Sequence, residues 1–249
     1  MQHLMGLVRR CVDDYQMIAE GDRIAVGVSG GKDSLVLLTL LAGLQKYYPK
    51  HFDLEAITID MGMSMDFSGV EQLCRDLGVP YTCVRTEIGP IIFDIRKEKN
   101  PCSMCAKMRR GALNDALKAH GFNKIALGHH YDDAVETFLL SLFYEGRLSC
   151  FQPVTYLSRT DVTQIRPMLY IGEKAVAGFC QRRNLPVVEN RCPADKSTKR
   201  QEVKDLLAVL QTQYPDLKTK IFGAMQRLPL PEWGPVEPPQ GRSSVPQAK

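Results

Sequence analysis

A glycine-rich hexapeptide between two apolar runs constrains the fold of this chain more than any other feature. Residues 29–34, Ser-Gly-Gly-Lys-Asp-Ser, follow the apolar run 24–28 and precede the apolar run 35–38. Two adjacent glycines let backbone N–H groups approach an anion closely, and a helix that begins here directs its positive dipole end at the same point. The pattern therefore predicts a phosphate-binding loop between a buried strand and a helix.

The hexapeptide differs from a Walker A loop. That motif needs a glycine ahead of the loop and a hydroxyl residue after its lysine, and this chain has Val26 and Asp33 at those positions. The hexapeptide instead resembles the PP-loop of the ATP pyrophosphatase superfamily. This resemblance implies a grip on the leaving pyrophosphate while AMP is transferred to a carbonyl or carboxylate oxygen.

Strand-like and helical patterns alternate after the first 20 residues. The predicted strands are 23–28, 54–60, 81–85, 124–127 and 186–188, and predicted helices between them cover 34–44, 66–77 and 106–120. This alternation predicts an α/β fold with a doubly wound, mainly parallel sheet of about five strands and helices on both faces. Such sheets bind ligands beyond the carboxyl ends of their strands, where the loops 29–34, 60–65 and 128–133 would meet.

The remaining segments divide the chain into three parts. Residues 1–20 have the three- and four-residue apolar spacing of an amphipathic helix, and residues 21–228 form the predicted PP-loop domain with its cysteine site. Within that domain we predict a loop or hairpin at 151–166 and further helices at 132–144, 173–183, 199–214 and 217–227. Residues 229–249 are rich in proline and predicted to be disordered.

Composition and charge restrict the class of protein. No apolar stretch has the roughly 18 residues of a membrane span, and Met1–Arg10 lacks the apolar core of a secretory signal, so we expect a cytoplasmic protein without membrane contact. Cysteine thiols are expected to be reduced in the cytoplasm. The net charge of +4 permits a polyanionic partner such as RNA without proving one.

Cys102 and Cys105 form a Cys-x-x-Cys pair just before a predicted helix. Both thiolates could reach one metal there, and the helix N-terminus would lower their pKa. Cys192, on a predicted loop after a strand, is the best candidate for a third ligand. Three ligands favour an iron–sulfur cluster with one open corner over a closed four-ligand zinc site, although zinc, a redox dithiol and an incidental pair remain alternatives.

The other cysteines are interpreted mainly as packing residues. Cys11, Cys74 and Cys180 lie in helical patterns and Cys83 lies in a strand, where free cysteine is usually a small buried hydrophobe. Cys150 is left unassigned.

An ordered set of motifs resembles the TtcA family of tRNA 2-thiocytidine synthetases. The set comprises the hexapeptide, Cys102-Ser-Met-Cys105 with Met-Arg-Arg-Gly at 108–111, Gly-His-His-Tyr-Asp-Asp at 128–133, Phe-Tyr-Glu-Gly at 143–146, Arg-Pro at 166–167, and Cys192. The resemblance implies an ATP-dependent tRNA sulfurtransferase that adenylates the C2 carbonyl of an anticodon-loop cytidine and replaces its oxygen with sulfur. It also implies Mg²⁺, a [4Fe-4S] cluster and a sulfur donor such as a cysteine desulfurase. Whether the protein forms a homodimer is left open by the sequence.

The resemblance also implies roles for individual residues. The nucleotide-binding residues would be Ser29, Gly30, Gly31, Lys32, Asp33, Ser34, Asp60, Met61, Gly128 and His129, and the cluster ligands Cys102, Cys105 and Cys192. Asp33, Asp132, Asp133 and Arg109 would be catalytic, with Asp132 or Asp133 assisting the chemistry or binding Mg²⁺. Glu136 is expected on a helix surface, and Lys196, Lys199 and Arg200 are weaker candidates for a tRNA-facing basic surface.

Three alternatives remain at this point. The run from His129 to Thr137 also resembles the lysidine synthetases, which adenylate a tRNA cytidine and need no cysteine set. Another thiolase of the same superfamily is a second alternative, and a nucleotide-binding regulator or redox sensor without turnover is a third.

Overall fold

The computed structural model describes residues 1–96, 101–192 and 199–227. Its strands are β1 (Asp22–Gly27), β2 (Phe52–Asp60), β3 (Tyr81–Arg85), β4 (Lys124–Ala126), β5 (Val154–Leu157) and β6 (Val162–Ile165). Within the described residues these six form one sheet in the order β3-β2-β1-β4-β6-β5. The first four pairings are parallel, and β5 pairs antiparallel with β6. The predicted α/β fold with a mainly parallel sheet is confirmed.

Helices connect these strands and follow the sheet. They are α1 (Gln2–Asp14), α2 (Lys32–Gln45), α3 (Ser68–Leu77), α4 (Ile88–Pro90), α5 (Pro101–Ala119), α6 (Tyr131–Leu140), α7 (Glu173–Arg182), α8 (Lys199–Gln213) and α9 (Leu217–Arg227). Single π-helical turns at Ile91–Ile95 and Ser141–Glu145 continue α4 and α6. In the part of the chain that is described, no helix has the length and apolar character needed to cross a membrane.

The sheet is covered on both faces because its strands are apolar on both. In β1, Ile24 and Val26 pack into the core that contains α2, whereas the intervening Ala25 packs with Leu117 of α5. Alternate residues of a strand point to opposite faces, so this division places the two helices on opposite sides. Helix α2 is buried along almost its whole length, as expected for a helix that is apolar on every side.

The carboxyl ends of three neighbouring parallel strands lie at one edge of the sheet. Val26 of β1 is in register with Ala56 of β2 and Ala126 of β4. The loops that follow these strands therefore begin side by side, as predicted for the ligand-binding edge of a doubly wound sheet.

One predicted strand is wrong. Residues 186–188 are not part of the sheet; the Val188 N–H instead donates to the Gly30 carbonyl oxygen at 2.9 Å. The sheet is completed by the predicted 151–166 hairpin, which supplies β5 and β6.

Two helix boundaries also differ from expectation. Helix α1 ends at Asp14 rather than near residue 20, although Ile18 is still buried in the core. The described part of α5 begins at Pro101, so Cys102 and Cys105 lie in its first turns rather than ahead of it. The proline-rich segment 229–249 and Lys196 lie outside the described residues.

Candidate active site

The glycine loop joins β1 to α2 in a conformation that requires glycine. Gly30 has a φ of +84°, and a Cβ atom there would lie 2.7 Å from the side chain of Val188. Gly31 is the N-cap of α2. Ser34 Oγ donates to the Gly31 carbonyl at 2.8 Å and accepts the Ser29 N–H at 3.2 Å. The loop is thus held from within, while the N-terminus of α2 supplies a favourable site for an anion.

Lys32 is held between two carboxylates. Its Nζ atom lies 3.2 Å from Asp33 Oδ1 and 3.4 Å from Glu173 Oε1 on α7. Burial disfavours the ammonium ion, but Asp33 and Glu173 outweigh it and raise the pKa of Lys32. Glu173 has a second cation, Lys204 of α8, at 2.8 Å. Lys32 is therefore charged and able to pair with phosphate.

The loop after β4 lies directly on the start of α2. A Cβ atom on Gly128 would come within 3.1 Å of backbone atoms of Asp33 and Ser34, so a larger residue would require these segments to move apart by a few tenths of an ångström. Two residues later, His130 caps α6 through a reciprocal pair of hydrogen bonds with Asp133. The His130 Nε2 atom is 3.8 Å from Asp33 Oδ1. Sequence reasoning assigned no separate role to His130; its side chain is almost fully buried beside the PP-loop.

Asp132 has partners for both oxygens. Oδ1 pairs with Lys218 of α9 at 2.6 Å, and Oδ2 accepts the Glu173 N–H at the start of α7, also at 2.6 Å. Burial opposes ionisation, but Lys218 and this N–H overcome it and lower the pKa of Asp132. Asp132 therefore ties α6, α7 and α9 together at the edge of the site.

Asp133 and Glu136 share the guanidinium group of Arg200. Arg200 Nη1 lies 3.5 Å from Asp133 Oδ1 and 3.1 Å from Glu136 Oε2, and Nη2 donates to Thr137. The prediction that Glu136 lies on a helix surface is wrong, because its exposure is only 1%. Burial raises the pKa of Glu136 even though Arg200 favours its carboxylate. Arg200 is thereby engaged within the domain.

His129 packs against an aromatic side chain. Its ring contacts Phe151 at a centroid distance of 4.9 Å, and its Nδ1 atom is buried without a hydrogen bond. Burial and the charge of nearby Arg166 lower the pKa of His129 to about 4. The adjacent His130, rather than His129, approaches Asp33.

The Cys-x-x-Cys pair and Cys192 line one cavity together with the PP-loop. This cavity, of about 460 Å³, lies between α5, the end of β2 and the segment after α7. Its wall is formed by Ser29, Gly31, Ile59, Met61, Met63, Met65, Phe67, Phe93, Pro101, Cys102, Cys105, Ala106, Arg109, Val188, Asn190 and Cys192. Residues distant in sequence are thus brought to the same edge of the sheet as the phosphate-binding loop.

The three thiols surround the cavity without forming a closed ligand set. In the ranges described, no group of three His, Cys, Asp or Glu side chains is close enough to hold a metal ion as it stands. Cys102 and Cys192 nevertheless both act electrostatically on Cys105, which also contacts the Met61 sulfur at 3.8 Å. Burial raises the pKa of Cys105 despite the opposing charge of Arg109, contrary to the expected lowering by the helix.

A second, smaller cavity of about 270 Å³ adjoins the first. The two share Ser29, Ile59, Ala106 and Arg109. The smaller one extends over the sheet to Ile57, Leu127 and Gln164, and Arg110 lies at its edge. Its walls are largely aliphatic, which suits a planar base, while Arg109 and Arg110 bring positive charge to its rim. Sequence reasoning had not identified Gln164.

The other predicted site and packing residues are distributed as follows. Met61 lines the cysteine cavity, whereas Asp60 accepts the Gly62 N–H at the end of β2. Cys11, Cys74 and Cys180 are buried as predicted, but Cys83 is exposed, which corrects its assignment to the core. Lys199 pairs with Glu202 and lies over the ring of Tyr144.

Comparison with known proteins agrees with this arrangement. A family model described as a PP-loop domain matches residues 6–210. A tRNA-cytidine(32) 2-sulfurtransferase from Dichelobacter nodosus (strain VCS1703A) is 35% identical over 229 residues, which cover 91% of this chain and 86% of the relative. A protein of the same name from Pelobacter propionicus (strain DSM 2379 / NBRC 103807 / OttBd1) is 39% identical over 233 residues, covering 92% and 85%.

A solved structure extends the similarity to three dimensions. The U34-tRNA thiolase NcsA from Methanococcus maripaludis, with its [4Fe-4S] cluster, aligns with a TM-score of 0.75 and 25% identity. The alignment covers 91% of this chain and 78% of the thiolase.

Proposed function

The chain belongs to the TtcA family of PP-loop tRNA sulfurtransferases, and from this membership we propose that it converts cytidine 32 of tRNA to 2-thiocytidine. It is an ATP-dependent enzyme that activates the C2 carbonyl of an anticodon-loop cytidine and replaces the oxygen with sulfur. Position 32 follows from the names of its relatives.

One observation carries the proposal: Cys102, Cys105 and Cys192 face the same cavity as Ser29 and Gly31 of the PP-loop. A carbonyl oxygen is a poor leaving group until AMP is attached to it, so thiolation needs adenylation and sulfur delivery at one carbon atom. A cavity bounded by both sets of residues meets that requirement.

In the proposed adenylation, the cytidine O2 atom attacks the α-phosphorus of ATP and pyrophosphate leaves. Lys32 and the backbone N–H groups at the start of α2 would bind the departing pyrophosphate and stabilise its charge. A sulfur nucleophile then attacks C2, and AMP leaves with the former carbonyl oxygen. Arg109, on the rim shared by the two cavities, would contact a phosphate or the base.

Asp33 is the proposed carboxylate partner of Mg²⁺. Magnesium in nucleotide sites typically uses one or two carboxylates together with substrate phosphates, and Asp33 Oδ1 is buried without a hydrogen bond. For Asp132 we propose a positioning role, supported by its contacts to Lys218 and the Glu173 N–H. Asp133 is likewise proposed to be a positioning residue, because it forms the reciprocal cap of α6 with His130.

The chemistry of the donor set fits the [4Fe-4S] cluster of this family. Cys102, Cys105 and Cys192 would hold it, because thiolates are its usual protein ligands and three of them leave one iron free. When bound, the cluster supplies a site at which sulfur can be presented to substrate.

The enzyme's partners follow from the same reaction. tRNA is its substrate, and a sulfur donor such as a cysteine desulfurase is proposed because each turnover consumes one sulfur atom. Since the substrate is tRNA, we place the reaction in the cytoplasm. We also propose a homodimer, which a measurement of the molecular mass in solution would test.

The deciding experiment is nucleoside mass spectrometry of tRNA from a strain that lacks the gene, with and without a plasmid copy. We expect 2-thiocytidine to disappear and the wild-type copy to restore it, whereas the Cys192→Ser copy should not. Loss of lysidine instead would support the cluster-free ligase. An unchanged profile would contradict both functions.

A further inference from the structure

Asp33 has an incompletely satisfied carboxylate at the centre of the PP-loop. Its Oδ1 atom is buried and accepts no hydrogen bond; Lys32 Nζ lies 3.2 Å from Oδ1 but donates to the other oxygen, Oδ2, at 3.3 Å. The next charged or polar partner is His130, whose Nε2 atom is 3.8 Å from the same oxygen. Within the described residues, the ionic contacts of Asp33 are with these two side chains.

The cap of α6 determines which nitrogen of His130 carries the proton. The Asp133 peptide N–H donates to His130 Nδ1 at 3.4 Å, while the His130 N–H donates to Asp133 Oδ2 at 2.9 Å. A peptide N–H is always a donor, so this hydrogen bond requires an unprotonated Nδ1 and assigns the proton of a neutral ring to Nε2. The carboxylate oxygens Asp133 Oδ2 and Asp132 Oδ2 also lie 3.5 Å and 4.0 Å from Nδ1. Nε2 is the ring nitrogen that lies 3.8 Å from Asp33 Oδ1.

The ring of His130 is fixed more firmly than the carboxylate it approaches. Its side chain is 4% exposed, its backbone forms a parallel bridge with Met168, and the next N–H, from Tyr131, donates to Ile171. The Asp33 side chain is 35% exposed and belongs to the first turn of α2. A small rotation of Asp33 is therefore the movement that would close the 3.8 Å separation to a hydrogen bond.

Binding of ATP would remove Lys32 from Asp33 and leave His130 as its neighbour. This step depends on the proposed function. When Lys32 turns toward phosphate, Glu173 keeps its 2.8 Å contact with Lys204. Asp33 has no second cation among the described residues and retains only His130. In this buried setting a single oriented N–H is worth more than it would be in water.

We propose that His130 is a positioning residue. When Lys32 binds the phosphates of ATP, the Nε2–H of His130 donates a hydrogen bond to the Asp33 carboxylate in its place. The hydrogen bond holds the carboxylate in one orientation for magnesium-bound nucleotide. The cap of α6 thus supports the PP-loop from a neighbouring loop, in addition to starting its own helix.

Two substitutions separate the cap from the proposed contact. His130→Asn keeps a favoured N-cap acceptor for the Asp133 N–H but lacks an N–H at the Nε2 position. His130→Gln can place an amide N–H near that position but is a poorer cap. His130→Asn should bind Mg-ATP about tenfold more weakly with near-normal stability to urea, and His130→Gln should recover part of the affinity at a cost in stability.

A double-mutant cycle supplies the decisive measurement. Affinity for Mg-ATP is measured by calorimetry on the full chain, without tRNA, for the wild type, His130→Asn, Asp33→Ala and the double variant. If His130 acts through Asp33, His130→Asn has no further effect once Asp33 is alanine. Wild-type affinity in His130→Asn, or an equal loss in both backgrounds, would overturn the proposal. Because the assay needs neither tRNA nor sulfur, its outcome is independent of the tRNA modification profile.

Discussion

The Val188 N–H donates to the Gly30 carbonyl oxygen at 2.9 Å, which fastens the segment leading to Cys192 onto the PP-loop. The two residues are in such close contact that a Cβ atom on Gly30 would lie 2.7 Å from Val188. The phosphate-binding loop and one wall of the cysteine cavity are therefore mechanically coupled.

Gly30→Ala should damage both the fold and nucleotide binding. The φ of +84° is unfavourable for alanine and the new Cβ would displace Val188, so we expect the free energy of unfolding to fall by about 2–4 kcal/mol. Urea unfolding and Mg-ATP affinity are the measurements. Gly111→Ala, in helix α5 with open space around the site, is the matched control and should be stabilised by roughly 0.5–1 kcal/mol. Wild-type behaviour of Gly30→Ala would contradict the coupling.

Serine substitutions should distinguish cluster ligands from other cysteines. Cys102→Ser, Cys105→Ser and Cys192→Ser each remove one thiolate from the shared cavity, so anaerobic reconstitution should leave little iron and acid-labile sulfide bound. The exposed Cys83 lies on β3 outside this cavity, and Cys83→Ser should keep the brown colour of the wild type. Colourless wild-type protein with stoichiometric zinc would count against the cluster.

His129 should make stability depend on pH in the mildly acidic range. The pKa of His129 is lowered from 6.5 to about 4, so the unfolded chain binds more protons between these values and stability falls as the pH drops through them. Between pH 7 and pH 5 the loss due to this residue should be about 2 kcal/mol. Urea unfolding at the two pH values should show a smaller difference for His129→Gln and an unchanged one for the exposed His3→Gln. An equal pH dependence in His129→Gln would refute the assignment.

Glu136→Gln should be at least as stable as the wild type at pH 7. Burial raises the pKa of Glu136, so folding favours the protonated form and stability decreases as the pH rises through the folded-state pKa. The amide avoids this cost, and its advantage should shrink as the pH is lowered toward 4.5, the ordinary pKa of a glutamate.

Arg200→Gln is the opposing control for Glu136→Gln. It leaves the buried Glu136 carboxylate without its 3.1 Å partner, so urea unfolding should show a loss of roughly 1–3 kcal/mol. If Glu136→Gln were the less stable of the two variants, the carboxylate would be contributing net stability and the interpretation would be wrong.

Local residue patterns were sufficient to predict the phosphate-binding loop and the parallel strands that position the site. The glycines at 30 and 31 predict a turn, because glycine can adopt backbone angles that other residues avoid. Apolar strands that alternate with helices are enough to predict a parallel sheet, and with it the edge where ligands bind. The strand predicted at 186–188 failed because a short apolar run looks the same whether it joins a sheet or, as here, bonds to a loop.

The sequence by itself determined the phosphate loop, the parallel strands β1 to β4 and the cysteine pair at 102 and 105, since these follow from patterns among residues that are neighbours along the chain. Only the tertiary structure decided that Cys192 shares their cavity, that Glu136 is buried, and that His130 rather than His129 faces Asp33. The physical reason is that such contacts arise from the packing of strands and helices against one another, which no local propensity encodes.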